Sequence, residues 1–284
     1  MTGISLTAYG KINLSLDVLH LRADGYHELA TVMQSVALGD SLTFRVNDTG
    51  TVNLECNKPE LANRDNLVVK GAQLLRERFC PKQGVDIHLE KRIPVAAGLG
   101  GGSSDAAATL KALNHLWGLG LSTSSLVAIG AELGADVPFC LVGGTVLAQG
   151  IGDKLTLLKP APTLWLVLVK PPGGLRAGEV YQCWDAGKWE SNHYTPGVLA
   201  ALEGGAPPYR LLQKVGNDLE RAVKSLLPEA EEIEQDLLQG GALKAMVSGS
   251  GPTIIGFVAD EEQAIKLANS LSNKYPEVHV THTI

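Results

Sequence analysis

Residues 93–110 read IPVAAGLGGGSSDAAATL, a glycine-rich segment that leads directly into a run of alanines. Four glycines and two serines occupy the seven positions 98–104. Just before this segment, apolar and polar residues alternate over residues 85–89, which predicts a half-buried strand. Residues 105–117 carry helix-forming alanines and leucines and predict a helix. The order strand, glycine loop, helix is the first organising feature of the chain.

Length and composition point to a small-molecule enzyme. The chain has 284 residues, which exceeds the usual size of one hydrophobic core, so two domains are expected. Hydrophobic residues make up 45% of the chain and charged residues 19%, which allows a sizeable core. The formal net charge of −6 lacks the basic excess that phosphate-backbone binding requires, so no nucleic-acid partner is expected.

The cysteines and the N-terminus bear on location. Cys56, Cys80, Cys140 and Cys183 form no CxxC pair, so neither a zinc cluster nor a disulfide framework is indicated. The N-terminus lacks a basic segment followed by a long apolar core, and no stretch reaches 18 uncharged apolar residues. We therefore expect a soluble, unprocessed, cytoplasmic protein without membrane attachment.

The first half of the chain alternates strands and helices. Residues 12–18 alternate apolar with polar side chains, which places Lys11 and Asn13 on one face of a strand. A second strand is expected over 40–46, and a helix begins after Asp65. A further helix is expected with Ser122 as its cap and Gly134 at its end, which puts Asp136 in the following loop.

The second half changes character near residue 160. An apolar run over residues 164–169 predicts a buried strand, and two helical patterns follow, split at Pro228 and ended at Gly240. Strand, glycine loop, strand, helix and a closing strand then complete the chain. We expect a small α+β domain at residues 161–284, after a first domain at residues 1–160.

The glycine loop has the chemistry of an anion site. Glycines permit positive φ, and a helix that begins at the loop presents unpaired N–H groups and its positive dipole end. Phosphate is the common ligand of such a site. Neither standard phosphate motif fits, because Ser103 stands where a Walker motif needs lysine and where the Rossmann motif needs its third glycine. The alternative is a tight connection in which small residues only permit packing.

The motif PVAAGLGGGSSDAAA resembles the ATP-binding motif of the GHMP kinases. The segments AYGKIN, RADGYHEL, DNLVVKGA, LGADVPFC and SGSGPT resemble, in the same order, segments of the branch that acts on a cytidylated methylerythritol. The resemblance covers nearly the whole chain and is weakest over about 185–212. It implies an α+β, two-domain GHMP kinase fold, with an N-terminal ATP-binding domain (ribosomal protein S5 domain 2-like) and a C-terminal ferredoxin-like α/β sandwich.

The resemblance implies a catalytic pair, Lys11 and Asp136. Asp136 would accept the proton of the substrate hydroxyl, while Lys11 would orient that hydroxyl and steady charge. Asp136 stands next to apolar Val137, Pro138 and Phe139, where partial burial could tune a carboxylate. By residue type alone, each would more often be a solvated surface group.

The resemblance also implies the ATP site, with Mg²⁺ bridging the phosphates. Asn66 and Lys91 match positions near the adenine, although Lys91 could equally be a solvated charge at a strand end. No residue is assigned as a magnesium ligand, and Ser104 is a candidate by chemistry alone. The residues implied to hold ATP in the loop are Pro94, Val95, Ala96, Ala97, Gly98, Leu99, Gly100, Gly101, Gly102, Ser103 and Ser104.

For the acceptor, the resemblance implies a cytidine ring stacked between Tyr26 and Tyr181. Stacking of a flat base on an aromatic ring contributes on the order of 1–3 kcal/mol. His27 would hydrogen bond the cytosine edge, and Asn13 would contact the methylerythritol end. Packing in the core or at a rim is the alternative for Tyr181. SGSGPT, residues 248–253, is implied to help close the site, with a plain strand connection as its alternative.

The sequence therefore favours an ATP-dependent kinase that phosphorylates the 2-hydroxyl of the cytidylated acceptor, in the non-mevalonate route to isoprenoid precursors. A second interpretation is a GHMP kinase of homoserine or a mevalonate derivative, but such small acceptors offer no base for Tyr26 to stack on. A third is a nucleotide-binding protein without turnover, which the presence of both Lys11 and Asp136 disfavours. We expect a monomer or a weak homodimer.

Overall fold

Strands and helices alternate along most of the chain in the computed structural model, which describes residues 3–79 and 83–284. The strands are β1 Gly3–Leu21, β2 His27–Asn47, β3 Val52–Cys56, β4 Gly84–Glu90, β5 Thr145–Gly150, β6 Lys154–Leu157, β7 Trp165–Lys170, β8 Gly216–Asn217, β9 Lys244–Val247, β10 Ile254–Val258 and β11 Glu277–His282. The helices are α1 Leu67–Phe79, α2 Gly101–Leu116, α3 Thr123–Leu133, α4 Val137–Val142, α5 Ala177–Gly187, α6 Tyr194–Glu203, α7 Pro208–Leu212, α8 Glu220–Leu226, α9 Glu229–Gln239 and α10 Glu261–Leu271.

The described residues divide into two compact units. The first unit contains the residues up to Gly10, Leu38–Val95 and Gly100–Gly143, and the second contains Lys11–Ala37, Ala96–Leu99 and Gly144–Ile284. β1 and β2 each pass from one unit into the other, because they run for 19 and 21 residues, well beyond the predicted 12–18 and 40–46. The division of the sequence near residue 160 stays a prediction.

In the first unit, β3, β4, the second half of β2 and the first half of β1 form a layer against helices α1 to α4. β3 runs parallel to β4, and β4 pairs antiparallel with the second half of β2. The alternation that predicted a strand at 85–89 is confirmed, because its apolar side chains are buried under the helices while the residues between them are more exposed. Sheet and helices share one hydrophobic core, to which α2 contributes Ala106, Leu110 and Leu113. The glycine loop lies between β4 and α2.

The second unit contains a four-stranded antiparallel sheet in the order β11, β7, β10, β9. In chain order this is 4-1-3-2, and helices follow its first and third strands, which is the ferredoxin-like arrangement. The same unit pairs β1 with β8 in parallel and the first half of β2 with β5. The predicted helices around Pro228 are confirmed as α8 and α9, and Gly240 ends α9 as expected.

One helix begins earlier than the sequence predicts, and one short helix was not predicted. α2 begins at Gly101, four residues before the predicted start at Asp105, because Gly100 caps it with a left-handed backbone (φ 68°) and Ser104 N donates to Gly100 O at 2.8 Å. The short helix α4 was not predicted: its apolar sequence VPFCLV has no helical periodicity, and tertiary packing of Val137 and Phe139 decides its conformation.

The cap of α3, the cysteines and the length of the helices were also open to prediction from the sequence. Ser122 caps α3 by accepting a hydrogen bond from Ser125 N, and Gly134 ends that helix, as predicted. Of the cysteines, Cys56, Cys140 and Cys183 are free thiols, and Cys80 lies outside the described residues. Within 3–79 and 83–284, each helix is too short or too polar to cross a bilayer.

Candidate active site

The glycine loop is the first component of the site. It leaves β4, passes through two left-handed glycines, Gly98 (φ 73°) and Gly100 (φ 68°), and enters α2. Ala96 also has a positive φ of 51°, a conformation that costs a residue with a Cβ some strain and is often found at functional sites. The predicted order of strand, loop and helix is confirmed.

The first turn of α2 presents backbone donors. The amides of Gly101, Gly102 and Ser103 have no acceptor within the helix, as at every helix N-terminus. Ser104 differs, because its amide donates to Gly100 O at 2.8 Å and its hydroxyl donates to Tyr9 O at 2.6 Å. The donors of Ser104 therefore serve the fold, and an anion at this turn would meet the three preceding amides and the positive end of the helix.

Lys11 is the second component and is 5% exposed. Its backbone N–H donates to Leu99 O at 2.9 Å, which ties β1 to the glycine loop within the second unit. Its ammonium donates to Asn13 Oδ1 at 3.0 Å. The shared face of Lys11 and Asn13 that the alternating pattern predicts is confirmed, but this polar face is buried as well as the apolar one.

The SGSGPT segment is the third component and connects β9 to β10. Gly249 (φ 56°) approaches the lysine so closely that a Cβ there would lie 3.3 Å from Lys11 Nζ and 3.2 Å from Asn13 Oδ1. Ser248 Oγ donates to Gly98 O at 3.2 Å. The segment is a connection between adjacent strands, and it also lies against the glycine loop and the lysine. That it helps close the site stays a prediction.

Asn217 holds that connection in place, and nothing in the sequence singled it out. Its side-chain amide donates to Gly249 O at 2.7 Å and to Val247 O at 3.0 Å. Asn217 is 3% exposed and follows Gly216, which pairs with Ser15 of β1. The glycine loop, Lys11 and the SGSGPT connection thus converge through contacts within the second unit.

Asp136 lies at the start of α4, in the first unit. It occupies the N-cap position, but its side chain does not make the cap hydrogen bond that aspartate commonly forms there. Val137 N donates to Gly134 O at 3.1 Å, and Cys140 N donates to Asp136 O at 3.1 Å, so the backbone on both sides is fixed. The carboxylate is partly exposed beside the buried side chains of Val137 and Phe139.

The residues predicted for the acceptor lie on and beside the turn between β1 and β2. Tyr26 is 62% exposed, and hydrogen bonds close its turn: Tyr26 N donates to Asp24 Oδ1 at 3.1 Å, and Arg22 N donates to Tyr26 O at 2.7 Å. His27 stacks on Tyr181, with ring centroids 5.0 Å apart and an 18° angle between planes. His27 Nε2 also lies 2.8 Å from Asp185 Oδ1. One face of Tyr181 is thus covered by His27 in this structure, and its edge packs on the core.

Asn66 and Lys91, predicted near the adenine, have structural partners. Asn66 Oδ1 accepts from Val68 N at 3.0 Å in the first turn of α1, and its amide donates to Leu61 O at 2.9 Å. Lys91 is buried between Asp40 and Asp105, with Nζ 2.7 Å from Asp105 Oδ2. Lys91 is therefore not the solvated strand-end charge that its sequence context allowed.

This buried cluster lies directly against the start of α2. A Cβ at Gly101 would be 3.2 Å from Lys91 Nζ. Asp40 Oδ1 accepts from Arg92 N at 2.5 Å and from Ile93 N at 2.8 Å, which fixes the entry to the glycine loop. Burial raises the pKa of Asp105 to about 7, against the opposing effect of Lys91. The sequence analysis did not predict that Asp40 and Asp105 are buried site residues. The signal that could have indicated it is a carboxylate in a largely apolar stretch at Asp40 and one before a run of alanines at Asp105.

Comparisons with known proteins identify relatives over the whole chain. Residues 66–144 match the GHMP kinases N terminal domain and residues 207–277 match the GHMP kinases C terminal domain. The 4-diphosphocytidyl-2-C-methyl-D-erythritol kinase of Moorella thermoacetica is 46% identical, with 100% of each chain covered. A crystal structure of 4-(cytidine 5'-diphospho)-2C-methyl-D-erythritol kinase matches with a TM-score of 0.85, 32% identity and 99% of each chain covered.

A more distant likeness concerns the fold alone. The homoserine kinase of Cytophaga hutchinsonii matches with a TM-score of 0.77 over 100% of this chain and 95% of its own, at 20% identity. At this identity the likeness shows that the two proteins share a fold, and it says nothing about the acceptor.

Proposed function

Because this chain belongs to the 4-diphosphocytidyl-2-C-methyl-D-erythritol kinase family of the GHMP kinases, we propose that Lys11 and Asp136 carry out its phosphoryl transfer. The reaction of this family is ATP-dependent phosphorylation of the 2-hydroxyl of 4-diphosphocytidyl-2-C-methyl-D-erythritol. It belongs to the non-mevalonate route to isoprenoid precursors. The roles of individual residues follow from their positions and chemistry.

Asp136 is proposed as the general base. Its carboxylate takes the proton of the acceptor hydroxyl as the oxygen forms a bond to the γ-phosphorus of ATP, while the bond from that phosphorus to the β,γ-bridging oxygen breaks and ADP leaves. The hydrogen-bonded backbone on both sides of Asp136, which fixes its place at the start of α4, supports this role. In phosphoryl transfer the protein contributes mainly positioning and charge stabilisation.

Lys11 is proposed to orient the acceptor oxygen and to stabilise charge near it. The observation that carries this proposal is the convergence of Lys11 with two glycine segments: its N–H donates to Leu99 O, and a Cβ at Gly249 would lie 3.3 Å from its ammonium nitrogen. A buried ammonium attracts the negative charge of a nearby phosphoryl group more strongly than it would in water. Because Lys11 is 5% exposed, its side chain can adopt few alternative positions.

The N-terminal turn of α2 is proposed to hold the phosphates of ATP. The amides of Gly101, Gly102 and Ser103 and the left-handed Gly98 and Gly100 fit this task, since they present donors without side chains in the way. Mg²⁺ supplies charge neutralisation between the phosphates when it is bound. The described residues include no cluster of three or more His, Cys, Asp or Glu side chains that could hold a metal ion, and no residue is proposed as a magnesium ligand.

The acceptor is proposed to bind with its cytosine against Tyr26, an exposed ring on a turn closed by hydrogen bonds. His27 supplies a hydrogen bond to the base edge, and its contact with Asp185 orients the imidazole. Stacking on the face of Tyr181 that His27 covers would need His27 to move away from it. We further propose a cytoplasmic location and a monomer or weak homodimer, on the sequence pattern alone.

The experiment that tests the catalytic assignment is steady-state kinetics of Asp136→Asn. We expect kcat to fall by about 10²–10⁴-fold, the usual contribution of a general base, while the KM for ATP stays within about threefold. Asp153→Asn, in the turn between β5 and β6, is the matched control and should retain normal turnover. Near-normal kcat in Asp136→Asn would remove Asp136 from the role of base.

A further inference from the structure

A series of buried polar side chains follows Lys11 along the second unit. Lys11 Nζ donates to Asn13 Oδ1 at 3.0 Å, and Asn13 Nδ2 donates to Thr31 Oγ1 at 2.7 Å. Thr31 Oγ1 in turn donates to Ser15 O at 2.6 Å. Asn13 and Thr31 are 3% and 4% exposed, so bulk water is not available to replace either partner.

The hydrogen bonds in this series have a fixed direction. A hydroxyl has one proton, and that of Thr31 is given to Ser15 O, so Thr31 can only accept from Asn13. The NH₂ group of Asn13 must therefore face Thr31, and its carbonyl oxygen must face Lys11. The reversed amide has nearly the same shape, but it would set N–H donors against the Lys11 ammonium.

We propose that Thr31 is a positioning residue for phosphoryl transfer, because its hydroxyl sets the orientation of the Asn13 amide that holds Lys11. The inference rests on the proposed role of Lys11 and extends it to a residue on the neighbouring strand β2. Thr31 acts through Asn13 and takes no part in proton transfer.

The contact between Lys11 and Asn13 lies next to the backbone of the SGSGPT connection. A Cβ at Gly249 would lie 3.3 Å from Lys11 Nζ and 3.2 Å from Asn13 Oδ1, so this side of the contact offers little space for the ammonium to shift. The Gly249 carbonyl is itself held by Asn217 at 2.7 Å. The orientation of the Asn13 amide decides which of its two ends Lys11 meets, and Thr31 sets that orientation.

The test compares Thr31→Val and Thr31→Ser with a matched buried threonine. Valine keeps the shape of Thr31 and removes the hydroxyl, and we expect kcat to fall about 10–100-fold, as small misplacements of reacting groups do, with the KM for ATP within about threefold. Thr31→Ser restores the hydroxyl and should bring kcat back to within about threefold of wild type.

Thr145 is the control because it is also buried, at 3% exposure, and its hydroxyl also donates one hydrogen bond and accepts one within the second unit. It donates to Gln34 Oε1 at 2.6 Å and accepts from Ala161 N at 2.9 Å, a series that does not lead to Lys11. Thermal unfolding should show that Thr31→Val and Thr145→Val both lose stability. Only Thr31→Val should lose kcat, and equal losses of kcat in the two variants would overturn the inference.

Two further variants separate this inference from the proposed function. On an Asn13→Ala background, Thr31→Val should cause no additional loss of kcat, because the group through which it acts is gone; a further loss of 10-fold or more would contradict the inference. Loss of activity in Lys11→Met together with normal kcat in Thr31→Val would refute the role of Thr31 and leave that of Lys11 intact. Normal kcat in Lys11→Met would refute both.

Discussion

Lys91 lies between two carboxylates in a part of the chain that water scarcely reaches. Asp40 and Asp105 accept its hydrogen bonds, and the side chains of all three residues are at most 4% exposed. Opposite charges brought together out of water compensate each other's lost hydration only while all partners are present. The position of Lys91 against Gly101 makes this cluster a support for the turn that is proposed to hold phosphate.

Removal of the Lys91 charge should therefore be costly to the fold. We expect Lys91→Met to lower the free energy of unfolding by about 3–5 kcal/mol in urea titrations, because two buried carboxylates would be left uncompensated. Lys70→Met, at a lysine whose side chain is 46% exposed, should change it by no more than about 0.5 kcal/mol. Unchanged stability of Lys91→Met with a raised KM for ATP would favour the adenine contact over the structural role.

Asp105 gives the cluster a pH dependence. Burial raises its pKa from 3.8 to about 7 in the folded protein, so the folded state binds a proton more tightly than the unfolded state over this interval. Where the folded state holds more protons, the free energy of unfolding falls as pH rises. The contribution of Asp105 should therefore be most favourable near pH 4 and be lost as pH rises through about 7.

The measurement is urea unfolding of wild type and Asp105→Asn at several pH values between 5 and 8. The decline in stability with rising pH should be smaller in Asp105→Asn, because asparagine does not titrate. Asp65→Asn, at a side chain that is 94% exposed, is expected to keep the wild-type slope. Equal slopes in wild type and Asp105→Asn would contradict the assigned shift.

At the scale of elements, the glycine loop and the SGSGPT connection fit together only without side chains. A Cβ at Gly98 would lie 2.5 Å from Ser248 O and 2.8 Å from Gly251 O, both of them backbone atoms that cannot rotate away. The local sequence already indicates a loop that needs positive φ. It does not indicate which other segment comes this close, because residues 98 and 248 are 150 positions apart.

Gly98→Ala tests this fit. We expect kcat/KM for ATP to fall at least about tenfold, because the loop must move to accommodate the methyl group. Gly118→Ala is the matched control: its φ of 61° imposes similar backbone strain, but no atom lies within 4 Å of the added Cβ. The control should lose about 1–2 kcal/mol of stability and keep wild-type kinetics. Similar kinetics in both variants would mean that strain, not contact between the segments, matters.

Sequence patterns predict well those strands and helices in which buried and exposed side chains alternate with the period of the strand or helix. β4 and α9 are examples, because each has one buried and one exposed face. β1 does not, since Lys11, Asn13, Ser15 and Asp17 alternate with apolar residues and are nevertheless all buried. Asn13, Ser15 and Asp17 have hydrogen-bond partners in other segments of the chain, so the local sequence contains no signal that this polar face is an interior one.

At the scale of the whole molecule, the ordered motifs predicted the family, which the comparisons confirm. The catalytic pair Lys11 and Asp136 stays a prediction, and several residues that hold the surrounding segments in place were not predicted. Thr31, Asp40, Asp105 and Asn217 each act through contacts with segments far away in sequence. The two units also interleave along the chain, since β1 and β2 run through both. The local sequence contains no signal for this interleaving, and the division near residue 160 stays a prediction.

The reaction assigned to this chain is transfer of a phosphoryl group from ATP to the hydroxyl of a cytidylated acceptor. Phosphorus NMR of the products, with magnesium-ATP and 4-diphosphocytidyl-2-C-methyl-D-erythritol, homoserine or mevalonate in separate reactions, tests it most directly. We predict ADP and a new phosphomonoester resonance with the cytidylated acceptor alone. A phosphomonoester with homoserine or mevalonate instead, or ADP formation that no acceptor accelerates, would contradict the account.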